Sequence, residues 1–219
     1  MNIGEALRFT TEDKKWIEKI AIASVLIFTV IGWLAVAGWM LETIRRVVRG
    51  EAEVLPPWTD IGKYFVDGLK VCVIGIIWML PIIVVSACLG GLTGVASGAQ
   101  GQNNGGGIPL FLNICLVCLT LPYSLLVSFL IPPMLGIFAM QGTFAEAVNP
   151  AKSWRLARAN LGGFLTAWLV GAIGGAVASL IGTILCLIGI YPLGAYASAV
   201  GAHLYGQAYR EGMASLPAA

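Results

Sequence analysis

From Val71 to Ala145 the chain contains no Asp, Glu, Lys, Arg or His, and from Ala159 to Tyr209 the only such residue is His203. Charged residues make up 11% of the 219 positions, against about 25% in a soluble domain. A charge held at mid-bilayer costs at least about 2.5–3.5 kcal/mol on insertion scales, and about 20 apolar residues suffice to cross the hydrocarbon. Charge-free runs of this length, with 58% hydrophobic residues and a mean hydropathy of +0.86, exclude a water-soluble fold. They point to a multi-pass protein of the cell membrane. A membrane β-barrel needs strands that alternate apolar and polar residues. "VCVIGIIWMLPIIVV" is apolar on every face, so the expected class is all-α, a polytopic transmembrane helical bundle.

The other scarcities narrow function. A single histidine excludes a histidine cluster, no acid pair lies within the apolar runs, and no Gly-rich phosphate loop ends in Lys-Ser or Lys-Thr. No catalytic constellation, metal set or cofactor motif is present, and an enzyme is not expected. The net charge of +2 is too small and dispersed for nucleic-acid binding. The five cysteines, Cys72, Cys88, Cys115, Cys118 and Cys186, all fall in apolar runs. An odd count at membrane depth argues against a disulfide framework, and Cys115-x-x-Cys118 lacks a second ligand pair. Buried cysteine behaves as a small hydrophobe.

What is present can be threaded as about five spans, Ile17–Leu41, Asp67–Gly90, Ile108–Met140, Leu161–Leu187 and Ile190–Ala208, in a single domain covering 1–219. Pro122, Pro132 and Pro133 are expected to kink the third, and Gly189 and Pro192 mark a turn between the last two. By the positive-inside rule the loop 42–66 and the segment 149–160 face the cytoplasm and the Gly-rich loop 91–107 faces outside. Five spans then place Lys14, Lys15 and Lys19 on the unfavoured side. A first element broken near Gly32 would give six and remove the conflict.

Charge collects between Glu42 and Lys70, which hold ten of the 24 Asp, Glu, Lys and Arg residues, five of each sign. Leu41, Ile44, Val47 and Val48 oppose Glu42, Arg45, Arg46 and Arg49 at about 100° per residue. Glu42 can pair with Arg46, Gly50 ends the helix, and Thr59 is an expected N-cap for the next. The charged side reads as a solvated face or as a docking face, with Arg45, Arg46, Arg49 and Trp58 as candidate partner or headgroup contacts. A second amphipathic helix opens with Asn149 as cap and Pro150 at its first position. Lys152, Arg155 and Arg158 take one side, as candidate headgroup contacts, and Trp154, Ala157 and Leu161 the other.

Together "IGEALRFTTEDKKWIEKI", "GWMLETIRRVVRGE", "LPPWTDIGKYFVDGLK" and "HLYGQAYRE" resemble the prokaryotic integral-membrane family known as domain of unknown function 4013. The resemblance runs over nearly the whole chain. It implies a multi-span membrane domain standing alone and brings no activity or catalytic residue.

Candidate polar positions within the membrane are His203 and Gln207 on the fifth span and Asn113, Thr120, Ser124 and Ser128 on the third, which could line a path or serve helix packing. Small residues recur every fourth position as Gly171, Gly175 and Ser179 on the fourth span and as Gly194, Ser198, Ala202 and Gly206 on the fifth. These stripes predict close packing of the two. The expected function is a structural or partner-binding membrane protein in contact with lipid, a membrane or cytoplasmic protein, or a second copy of itself. The alternative is a small-solute or lipid transporter or channel-like protein.

Overall fold

The computed structural model describes residues 2–29, 31–100, 107–185 and 189–216, with the side chains of 93, 96–100 and 107–109 left aside. The order is α1 (Ile3–Glu12), α2 (Trp16–Phe28), α3 (Gly32–Arg49), a 3-10 turn at Trp58–Asp60, α4 (Ile61–Gln100), α5 (Gly107–Gln141), α6 (Phe144–Val148), α7 (Pro150–Ala159), α8 (Leu161–Ile184) and α9 (Ile190–Ser215), with no strand among the described residues. The helices divide between two compact units. One comprises the chain up to Ile74 and again from Leu130, the other Gly75–Phe129.

Three helical segments are long and apolar enough to cross a membrane: Trp58–Leu92, Leu110–Gln141 and Leu161–Ile184. The expected first span is not one straight helix. Its chain breaks at Thr29, whose backbone is extended, and the Thr29 hydroxyl donates to the Leu26 carbonyl while accepting from the Gly32 amide. This closes α2 and opens α3 with a single side chain. α2, at 13 residues, reaches only about 20 Å. It packs against α3 and α9. The fifth expected span does form a helix, α9, but α9 is not among the three apolar enough by composition.

In the first unit α9 is central, with α1, α2, α3, α7 and α8 packed around it. Its alanines and glycines permit this, since Ala195, Ala199 and Ala202 are fully buried. A Cβ placed on Gly206 would lie 2.7 Å from Val47 Cβ, so α3 and α9 meet there almost backbone to backbone. α3 and the first turns of α4 cross in the same way. A Cβ on Gly38 would strike the Tyr64 carbonyl and one on Gly68 the Leu34 carbonyl. Gly50, at φ 69°, ends α3 in the left-handed conformation that glycine adopts without strain.

Helix starts follow local rules in part. The Asn149 side chain accepts from the amides of Ala151 and Lys152, with Pro150 at the first position of α7. Thr59 does not cap α4, because the 3-10 turn carries it into the helix. α5 is one continuous helix through Pro122, Pro132 and Pro133. The expected loop 91–107 is helical as far as Gln100, and its residues 101–106 lie outside the described ones.

The second unit is built from the end of α4 and the start of α5, where the Tyr123 hydroxyl donates to the Trp78 carbonyl at 2.6 Å. Large apolar side chains such as Ile76, Ile83, Leu110, Phe111 and Leu121 are each about half exposed or more.

Candidate functional site

The charged stretch of the sequence is the centre of the first unit's polar chemistry. Asp13 begins it: its carboxylate accepts from the Lys15 amide at 2.7 Å, turning the chain from α1 into α2. The same carboxylate takes the ammonium of Lys19 at 2.6 Å. Lys19 is 4% exposed, and its other hydrogens go to Glu53 at 2.9 Å and to the Leu55 carbonyl at 2.6 Å. An ammonium has three protons to place, and all three are placed.

Residues 51–57 form no helix and lie as a strap held by side chains. Trp39 Nε1 donates to the Pro56 carbonyl, the Tyr64 hydroxyl to Pro57 and Arg46 to Glu53, all at 2.9 Å. Two consecutive prolines leave carbonyls without neighbouring amides, and indole and phenol donors fill that deficit. Trp58 returns a bond from its Nε1 to the Lys19 carbonyl and stacks on Trp39 at 5.3 Å and 9°.

A second cluster lies on the other side of α3. Arg45 bonds Asp67 at 2.7 Å, Glu42 at 3.1 Å and the Ala139 carbonyl at 3.0 Å. That carbonyl belongs to the last turn of α5, whose final carbonyls have no helical partner and favour a cation. Glu42 also receives Lys63 at 3.0 Å and lies 3.8 Å from Arg46. Burial pushes the Glu42 carboxyl up, but bonds and charges from Lys63 and Arg45 outweigh it and hold the group below its ordinary value. For Asp13, burial again works upward and is overcome by Lys19 and Lys15, with the same net lowering.

These contacts correct the expectation for the charged face. Arg45 and Arg46 are internal, their side chains 13% and 19% exposed, and Trp58 is engaged with Trp39 and Tyr64. Arg49 stays on the surface. On α7, Lys152 pairs with Glu146, Arg155 is exposed, and Arg158 lies over the Trp154 ring at 6.0 Å. Trp154 is therefore outside rather than on the packed side, which is Ser153, Leu156 and Ala157.

Of the polar membrane candidates, Thr120, Ser124 and Ser128 turn their hydroxyls to carbonyls of their own helix, and Asn113 is exposed in the same unit. His203 and Gln207 sit in the other unit, each 3% exposed. α8 and α9 pack against each other as expected, but their small-residue stripes border an open cleft. Gly171, Gly175, Ser179, Gly194 and Ser198 line a cleft of about 320 Å³, and a Cβ on Gly175 or Gly194 would meet nothing within 4 Å. Ala202 is buried, and Gly206 faces α3 instead.

Sequence reasoning missed Lys19, Asp13, Glu53 and Asp67 as partners, and Gly38 and Gly68 as the closest helix crossing. The equal count of both signs in the charged stretch was the available signal of a self-paired network.

The family described as Protein of unknown function (DUF4013) matches residues 21–187, which take in the strap, the cluster of Glu42, Arg45 and Asp67, α4, α5 and α8, while Asp13 and Lys19 lie before it. The chain belongs to this family. No curated protein and no solved structure matches it. As a DUF4013 member it carries no activity assigned through the family, so its function is argued from its own surfaces.

Proposed function

We propose that this DUF4013 protein is an integral membrane protein of the structural or partner-binding kind. The carrying observation is the apolar surface of α4 and α5. In their most apolar windows only 6% and 11% of residues are buried within the protein, so the remaining side chains need cover from lipid or from other membrane helices. The hydroxyls on α5 that bond their own helix favour this reading over a transport path.

In this arrangement α4, α5 and α8 cross the bilayer and α9 returns beside α8. The α2–α3 hairpin dips into the apolar layer without crossing, since its tip exposes Val25, Phe28, Ile31 and Trp33. The strap, α1 and α7 lie at the cytoplasmic surface and 101–106 outside. Arg49, Arg155 and Arg158 are the surface cations available to headgroups or to a cytoplasmic partner, and a second copy is the simplest partner within the membrane.

The test is expression of the tagged full chain, with membranes washed in carbonate, extracted in mild detergent and crosslinked before and after extraction. Retention in the washed pellet, with a crosslinked species larger than the monomer, supports the reading. Release by carbonate removes it, and a monomer free of any crosslink removes the partner-binding part.

A further inference from the structure

A cleft of about 610 Å³ opens between one face of α1, the strap and α9. That volume lies in the range of small-molecule sites, roughly 300–1,000 Å³. On α1, Glu5, Phe9 and Glu12 share the lining face at i, i+4 and i+7. Phe9 and His203 stack at 4.4 Å, and both line the cleft.

His203 is 97% buried by its 3% exposure, and its proton can be placed. The Asn2 backbone amide, which can only donate, meets Gln207 Oε1 at 2.9 Å. Gln207 therefore turns its Nε2 toward His203 Nδ1, 3.3 Å away, and donates to it. The imidazole proton then resides on Nε2. That N–H has no partner among the described residues, although the ring is almost wholly buried in the cleft wall.

The other groups lining the cleft sort by charge. Asp13 and Glu53 are satisfied by Lys19, and Glu51 lies 3.6 Å from both Arg46 and Arg49. Glu5, Glu12 and Lys14 line the cleft with no ion pair among the described residues, whereas the charge of Lys15 acts on Asp13. Two carboxylates thus await a cation, while one ammonium and one imidazole N–H await an acceptor. A simple anion would leave the α1 carboxylates unmatched, and a simple cation would leave the His203 N–H bare.

We propose that this cleft binds a small zwitterion in which a primary ammonium and an oxyanion are a few bonds apart, free or as the headgroup of an aminophospholipid. The ammonium sits against Glu5 and Glu12, and the oxyanion takes the His203 Nε2–H and Lys14. Charge-assisted bonds of this type are about twice as strong as neutral ones.

The experiment uses the full chain in neutral detergent and calorimetric titration with O-phosphoethanolamine, with ethanolamine and inorganic phosphate as half-ligands. Saturable binding of O-phosphoethanolamine, with each half-ligand at least about tenfold weaker, is expected. Removal of a charged hydrogen-bond partner costs about tenfold or more in affinity, so Glu5→Gln with Glu12→Gln lowers the affinity by that much. His203→Phe, which keeps the ring stack and loses the donor, lowers it as well. The glutamates are exposed, so their double variant decides the matter even if His203→Phe does not fold. In nanodiscs, phosphatidylethanolamine weakens binding of the soluble probe relative to phosphatidylcholine if the headgroup is the occupant; equal binding in the two assigns the cleft to the free zwitterion. No saturable heat from folded protein, or an affinity unchanged in the double variant, overturns the proposal.

Discussion

The ammonium of Lys19 in the first turns of α2 lies 2.9 Å from the carboxylate of Glu53 in the strap after α3, 34 residues further along the chain. A single straight helix from Ile17 to Leu41 would carry its two ends about 36 Å apart. The bond requires the chain to turn back between them, which it does at Thr29. The basic N-terminal segment and the charged strap therefore share one side of the first unit, and in the proposed topology this removes the conflict that a single first span creates for Lys14, Lys15 and Lys19.

Lys19→Ala is expected to destabilise the protein strongly, because it strands the Asp13 carboxylate, whose side chain is 10% exposed, and frees the strap. Breaking one partner of a buried pair costs about 3–5 kcal/mol. Glu53→Gln, at a side chain 66% exposed, costs under about 1 kcal/mol. Unfolding midpoints in detergent separate the two; equal effects would contradict the central place given to Lys19.

Gly38→Ala drives a methyl into the Tyr64 carbonyl at the crossing of α3 and α4. Overpacking of this kind costs about 1–3 kcal/mol. Gly175→Ala meets open space and is expected to leave the midpoint unchanged or slightly raised, since alanine favours helix by up to about 1 kcal/mol. The same thermal measurement checks both, and a larger loss at Gly175 would place the tight crossing between α8 and α9 instead.

Glu42 and Asp13 are both held below their ordinary values of 4.5 and 3.8. A lowered folded value means that the unfolded chain takes up protons first as pH falls. The stability these carboxylates contribute is complete above their ordinary range and is lost on acidification through the depressed folded values. The unfolding midpoint is thus expected to be flat from neutral pH to about 5 and to fall below it. Glu42→Gln with Asp13→Asn should flatten that acid limb, whatever its effect at pH 7; an undiminished slope would assign the acid loss to other groups.

In a cysteine-free background, a single cysteine at Gln102 is expected to react with an impermeant thiol reagent on intact cells. Single cysteines at Lys14 and Arg155 are expected to react only after permeabilisation. Labelling of Lys14→Cys from outside would show that α2 and α3 pass through the bilayer as one span, against the turn at Thr29.

Much of the architecture was legible because it rests on composition and on neighbours close in sequence. The charge-free runs impose helices that satisfy their own backbone bonds, Gly50 ends α3 by its left-handed geometry, and Asn149 with Pro150 opens α7. These depend on solvent and on residues a turn away, which a sequence displays directly. The tertiary structure alone decided the fold-back at Thr29, the Lys19–Glu53 and Arg45–Asp67 bonds, the Gly38–Gly68 crossing and the stacking of Phe9 on His203. An amphipathic pattern states that a charged face needs polar company. It cannot state if that company is water or the carboxylate of a distant segment, because the two satisfy the same groups and differ only in which parts of the chain are brought together.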